Sequence, residues 1–168
     1  MVLASIQAYE PGNSLPFAQA KRVVLVGGCF DILHYGHFEF LEQAKKQGDH
    51  LVVALEPNET ISGRKCKKAF HTQEQRAKNL SCIRFVDDVL LLPVLVGFSG
   101  YRQLCIDIHP HVIAITAGDP EISNKTLHAE HIGAELIVVT DLQKGVSSTQ
   151  IQANTPLCSK NALRAYFN

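Results

Sequence analysis

The stretch GGCFDILHYGH, residues Gly27 to His37, decides how this chain is read. It follows the apolar run Val23–Val26, which reads as a buried strand, and it leads into a helical pattern from about His37 to Gln47. In that pattern Phe38, Leu41 and Ala44 share one face, and Gly48 stands where a C-terminal stop belongs. A turn that leaves a strand and enters a helix directs its later backbone N–H groups outward. Such amides, together with the helix dipole, bind anions. His34 and His37 are three residues apart, so both imidazoles can project from one side of the first turn. Gly36 between them removes a side chain where a phosphate would approach.

Outward from this turn, short apolar runs alternate with helical patterns. Leu51–Leu55, Val89–Leu92 (closed by Pro93), Val112–Ile115 and Leu136–Val139 read as further strands. Thr72 and Gln75 form a capping box for a helix that turns Ala77, Leu80 and Ile83 inward. Tyr101, Leu104, Cys105 and Ile108 follow i, i+3, i+4, i+7 spacing, which predicts an amphipathic helix. A weaker helix ends near Gly133, and a last one begins at Ser147 or Ser148. The lysine-rich stretch Pro57 to His71 has no apolar periodicity and reads as a mobile loop. The alternation predicts an α/β, Rossmann-like fold: a five-stranded parallel sheet with helices on both faces. Ligands of such sheets collect beyond the carboxyl ends of the strands, where strand order reverses. Chemistry is therefore expected after the first, fourth and fifth strands.

The 168 residues suit one domain, 1–168, with a core at about 22–151. The lead 1–20 and the tail 155–168 read as accessory segments, either of which could cover the sheet. Sixteen Lys plus Arg balance sixteen Asp plus Glu, so no global basic field is available for nucleic acid or anionic lipid. Any anion must be held locally. Five cysteines without a C-x-x-C pair suit reduced thiols and a cytoplasmic location. The first twenty residues do not read as a secretion signal, and no apolar run approaches the ~18 residues a membrane span needs.

GGCFDILHYGH resembles the G-x-F-D-x-x-H-x-G-H signature of the cytidylyltransferase-like nucleotidyltransferase superfamily. That superfamily includes glycerol-3-phosphate cytidylyltransferase, heptose-phosphate adenylyltransferase and archaeal-type FAD synthase. The resemblance implies that His34 and His37 are catalytic and that Gly28, Cys29, Phe30 and Gly36 bind the nucleotide. It makes Asp31 an orienting residue at the substrate. The block from Lys65 to Asp87 is similar to the lysine loop, helix arginine and R-x-x-D pair of the glycerol-3-phosphate enzymes. By that likeness Lys65 and Lys67 reach phosphate, while Arg76, Arg84 and Asp87 contact or orient an anionic substrate. Ser147, Ser148 and Thr149 resemble the G-x-S-[ST]-T motif that holds the β- and γ-phosphates, and Gly118-Asp119 matches the G-D loop near the nucleotide.

Two departures stand out. Leu142 occupies the place of an arginine usual in glycerol-3-phosphate cytidylyltransferases, and Thr116-Ala117-Gly118-Asp119-Pro120 replaces the K-G-G-D-Y of heptose-phosphate adenylyltransferases. The lysine block points to CTP and the first motif to ATP. The reading favoured by the sequence is attack by the phosphate of glycerol 3-phosphate, or of another polyol or sugar phosphate, on the α-phosphorus of CTP, with release of pyrophosphate. Mg2+ would arrive with the triphosphate, no protein-borne metal site is indicated, and a homodimer follows from the resemblance alone. The alternative within the class is adenylyl transfer to heptose 1-phosphate or FMN. The alternative from another class is a catalytically inactive nucleotide-binding regulatory protein. An aminoacyl-tRNA synthetase fragment, which would share the H-x-G-H element, fits poorly with balanced charge.

Overall fold

The computed structural model describes residues 3–13, 15, 17, 20, 22–65 and 68–141. In chain order the elements are β1 (Ser5–Ala8), β2 (Val23–Gly28), α1 (Tyr35–Lys45), β3 (His50–Leu55), α2 (Asn58–Lys65) and α3 (Gln73–Ser81). They continue with β4 (Asp88–Leu91), α4 (Gly97–Ile108), β5 (Val112–Thr116), α5 (Ile122–Ile132) and β6 (Glu135–Thr140). One sheet runs in the order β1-β4-β3-β2-β5-β6, and every pair is parallel.

Period-two alternation along the strands fills two cores. Val24, Val26, Leu51 and Val53 face α1 and α3, which contribute Phe40, Leu41, Ala44, Ala77 and Leu80. Val23, Leu25, Val52 and Ala54 face α4 and α5, which contribute Leu104, Cys105, Ile108 and Ala129. This is the expected two-sided Rossmann-like arrangement. Thr72 and Gln75 form the expected reciprocal capping box, and Ala77, Leu80 and Ile83 are buried beyond it.

Three expectations change. First, the sheet has six strands. The lead supplies β1, whose Ser5 pairs in register with Asp88, and Ser5 also donates its hydroxyl to the Asp88 carboxylate. Beyond β1, Tyr9 and Phe17 are buried, and the Tyr9 hydroxyl and the Gly12 amide both donate to Asp107, at 2.7 and 2.8 Å. The signal was weak because β1 is four residues long and mostly exposed. Second, α2 occupies most of the stretch read as a loop. Its Ile61 is fully buried, but a single buried residue among the six whose burial is described makes no visible period. Third, α1 begins at Tyr35, and its buried stripe is Phe40, Leu41 and Ala44; Phe38 is 43% exposed. Among the described residues no helix is long and apolar enough to cross a membrane.

All strands being parallel, Gly28, Leu55, Leu91, Thr116 and Thr140 end on one edge. In the chain, β2 is followed by β3 and β4 on one side, and β5 and β6 return to the other. The order reverses between β2 and β5, which opens a crevice there. A register shift between Ile115 and Thr116 in the β5–β6 pair bends the strand end at this crevice.

Candidate active site

The turn after β2 is held by its backbone. Phe30 has φ +45°, a left-handed conformation rare for a bulky residue, and its ring is buried. Gly28 is required beneath it, since a Cβ there would lie 2.9 Å from the edge of the Phe30 ring. Two partners fix the loop. The fully buried Arg76 of α3 donates from Nη1 to the Cys29 carbonyl at 2.5 Å and from Nη2 to Asn58 Oδ1 at 2.8 Å. Burial lowers the Arg76 pKa, with Cys29, Asp31, Glu74 and Glu56 opposing that shift. The buried Asp31 carboxylate accepts from the amides of Phe70 and His71 at 2.9 and 3.1 Å, and the Asp31 carbonyl pairs with His71 Nδ1 at 2.8 Å.

His34 is the N-cap of α1, in extended conformation, and its side chain makes no capping bond. Capping of α1 therefore does not account for the His34 ring. The His34 and His37 rings stack at 3.8 Å, and His37 packs on Phe30 at 5.1 Å. Neither histidine is sealed in the interior; both are partly exposed at the start of α1. The His37 and Phe38 amides donate to the His34 carbonyl at 2.9 and 3.3 Å, and the amides before them face out of the helix start, an arrangement able to receive an anion beside the two imidazoles.

Next to the turn lies a cavity of about 620 Å³. Leu25, Ala54, Leu92 and Ile113 form its floor, and Leu95, Phe98 and Leu104 line its α4 side. Gly27, Gly28 and Cys29 meet it from β2, and Asp119 and Pro120 meet it from β5. Its polar lining comes from Glu56, from α2 and α4, and from the segment Asp119 to His128. Glu56, buried at the end of β3, accepts from Tyr101 at 2.8 Å and from Thr60 at 3.2 Å. Asp119 pairs with Lys125 Nζ at 2.7 Å and caps the Glu121 amide at 2.8 Å. His128 of α5 is buried against Phe98, ring to ring at 4.3 Å. Among the described residues no three His, Cys, Asp or Glu side chains are grouped to hold a metal ion.

The structure thus brings together Gly28, Cys29 and Asp119 around the cavity. Phe30, His34, Gly36 and His37 stand on the adjoining turn, outside the cavity lining. Gly118, at φ +75°, makes the left-handed step that delivers Asp119. Lys65 is the last residue of α2, which supplies Thr60 and Gly63 to the cavity; its side chain lies outside the described residues. Lys67, Ser147, Ser148 and Thr149 also lie outside them.

Two substrate assignments are corrected. Arg84 and Asp87 precede β4, on the amino edge of the sheet, opposite the cavity. There Asp87 accepts from Lys45 Nζ at 2.5 Å and from the Leu51 amide at 2.7 Å. Arg84 is exposed, over the Phe85 ring and 3.9 Å from Glu42. Arg76 and Asp31 are buried and hydrogen-bonded to the loop backbone, so each shapes the turn. Sequence reasoning missed Glu56, Tyr101, Phe98 and His128. Glu56 directly follows a strand's carboxyl end and was findable by the rule applied to the other strands. The others sit on helices, where the strand-end rule does not look, and Tyr101 had been counted only toward an apolar face.

The chain can now be set beside known proteins. The family profile described as "Cytidylyltransferase-like" matches residues 25–154. An FAD synthase of Thermococcus kodakarensis is 41% identical over 131 residues, 74% of this chain and 83% of that protein. A glycerol-3-phosphate cytidylyltransferase of Bacillus subtilis is 48% identical over 69 residues, 41% of this chain and 53% of that protein. In structure, a lipopolysaccharide core biosynthesis protein from Thermoplasma volcanium superimposes with a TM-score of 0.59 at 23% identity, over 74% of this chain and 98% of that one, which supports the fold alone. Because the profile runs from inside β2 to beyond β6, across the turn, the crevice and the cavity, the chain belongs to the cytidylyltransferase-like family and is a nucleotidyltransferase.

Proposed function

We propose that this nucleotidyltransferase adenylylates FMN, forming FAD and pyrophosphate from ATP. One observation carries the reading: the likeness to an FAD synthase extends over 83% of that relative, against 53% for the glycerol-3-phosphate cytidylyltransferase. The CTP and glycerol 3-phosphate favoured by the sequence rested on the lysine block and the R-x-x-D pair. That pair lies on the far edge of the sheet, which removes part of the support for it. A largely apolar cavity of about 620 Å³ also suits a fused ring better than a three-carbon polyol.

In this reading an oxygen of the FMN phosphate attacks the α-phosphorus of Mg·ATP in line. A new P–O bond forms, the α–β bridging P–O bond breaks, and Mg·pyrophosphate departs with the electron pair. The attacking phosphate is already anionic, so no general base is needed. Positioning and charge stabilisation do the catalysis. His34, His37 and the first amides of α1 stabilise the α-phosphate and the leaving group. Lys65 and Lys67 offset the gathered negative charge, and Ser147, Ser148 and Thr149 hold the β- and γ-phosphates. A cytoplasmic homodimer belongs to the same proposal.

The test is product analysis of the purified chain with ATP or CTP against FMN, glycerol 3-phosphate and heptose 1-phosphate. FAD from ATP and FMN is the expected product. CDP-glycerol from CTP, with no FAD, would restore the cytidylyl reading. Tight nucleotide binding without product from any pair would favour a regulatory protein.

A further inference from the structure

His128 has no place in the phosphate chemistry, yet it lines the cavity. Only 3% of the residue is exposed, and its Nδ1 is buried without a hydrogen-bond partner. A buried ring nitrogen without a partner costs free energy, and where its residue lines a cavity a bound ligand can supply that partner. The ring is held in place by the Phe98 stack, interplanar angle 29°, and Arg102 lies over the same Phe98 at 4.6 Å.

We infer that His128 is a specificity-determining residue, whose Nδ1 hydrogen-bonds the polar edge of the acceptor's ring system inside the cavity. The inference rests on the FMN reading and names which part of FMN lies where. Charge decides the orientation. Glu56, Asp119 and Glu121 line the cavity against Lys125, and Lys125 is already paired with Asp119. A phosphate would be repelled there. The phosphate end therefore points to the turn at His34 and His37, and the uncharged isoalloxazine ring enters the cavity. Its carbonyls, ring nitrogens and N–H give a neutral imidazole a partner in either tautomer. Burial, reinforced by Arg102 and His131, lowers the His128 pKa and keeps the ring neutral near pH 7. A pocket group that hydrogen-bonds its ligand rejects analogues lacking that partner far more strongly than apolar contact does.

The experiment is fluorescence titration of FMN and of riboflavin with wild type, His128→Leu and His128→Asn, with ATP affinity measured in parallel. His128→Leu keeps the bulk and loses the nitrogen. It should weaken both flavins about 10- to 100-fold and leave ATP affinity unchanged. His128→Asn places an amide near the position of Nδ1 and should recover most of the loss. Equal loss for FMN and riboflavin is the signature of a ring contact. If wild type binds FMN and a folded His128→Leu chain binds it equally well, the inference fails alone. Should His128→Leu not fold, an Asn variant that binds flavin no better than about 1% of wild type while retaining ATP would overturn it as well. If wild type binds neither flavin, the FMN reading fails and takes the inference with it.

Discussion

Replacing Arg76 tests whether the nucleotide turn is held in shape from below. The guanidinium is fully buried and donates to the Cys29 carbonyl and to Asn58. Each charge-assisted bond contributes ~1.5–3 kcal/mol. Arg76→Met keeps most of the apolar stem, loses both bonds and takes this donor from the half-buried Cys29 carbonyl and Asn58 amide oxygen. The expected cost is about 3–5 kcal/mol, the sum of two such bonds. That is a large part of a typical stability of ~5–15 kcal/mol. With a urea slope of ~2 kcal/mol per molar for a domain of this size, the unfolding midpoint should fall by roughly 2 M. Asn58→Ala breaks one bond only and should cost about half as much. Arg76→Lys has no planar fork and cannot span both acceptors, so it should fall between the two.

Activity separates scaffolding from global stability. The Cys29 carbonyl lies next to Phe30, whose ring packs on His37. Folded Arg76→Met in dilute buffer should therefore show a depressed kcat, while folded Asn58→Ala should be nearly normal. If Arg76→Met unfolded within a few tenths of a molar of wild type and turned over at the wild-type rate, the argument for a braced turn would be refuted.

Three further predictions can be checked by standard assays. His34→Ala and His37→Ala should each lower kcat by about 100- to 1,000-fold in a pyrophosphate-release assay, the cost of one preorganised donor to a developing oxyanion, with little change in the unfolding midpoint. Gly28→Ala should act at a distance: its Cβ would sit 2.9 Å from the buried Phe30 ring, so the ring and His37 must shift, and kcat should drop at least tenfold while nucleotide still binds. His128 gives a pH signature. Burial, with Arg102 and His131 nearby, lowers its pKa in the folded chain, so the unfolded chain binds the proton more readily. Stability is then complete above the ordinary histidine value of about 6.5, declines as the pH falls below it, and levels off beneath the folded value. Urea midpoints between pH 7 and 5 should fall less steeply in His128→Asn than in wild type, and equal slopes would refute the assignment.

Among the described residues, five of the six strands and four of the five helices could be read from apolar runs and hydrophobic period, because each buries a repeated face. The exceptions share a cause. β1 and α2 are held by few inward residues: the four residues of β1 are anchored by backbone pairing and by the Ser5–Asp88 contact, and α2 is anchored by Ile61. A pattern needs repetition, and these elements have none. The turn from Gly27 to His37 was legible for the opposite reason, since a strand, a helix start and a histidine pair coincide within eleven residues. Arg84 and Asp87 were misplaced because spacing along a chain says nothing about which edge of a sheet a residue meets. Parallel strands put every residue just before a strand on the amino edge, and there Lys45 and the Leu51 amide had already claimed Asp87.

The same logic explains why chemistry was easier to read than substrate. Phosphate binding is done by backbone amides at a helix start, and such a site must be contiguous, so it leaves a motif. A pocket for the acceptor has no such requirement. The walls of the cavity come from β2, β3, β5, α2, α4, α5 and the segments between them, and Glu56, Phe98, Tyr101 and His128 are 72 residues apart from first to last. Nothing local selects them. In the FMN reading, substitutions on α4 and α5 would change the acceptor while leaving the histidine turn intact. This makes the lining of the cavity, and His128 above all, the place where FMN adenylylation and glycerol phosphate cytidylylation would part company.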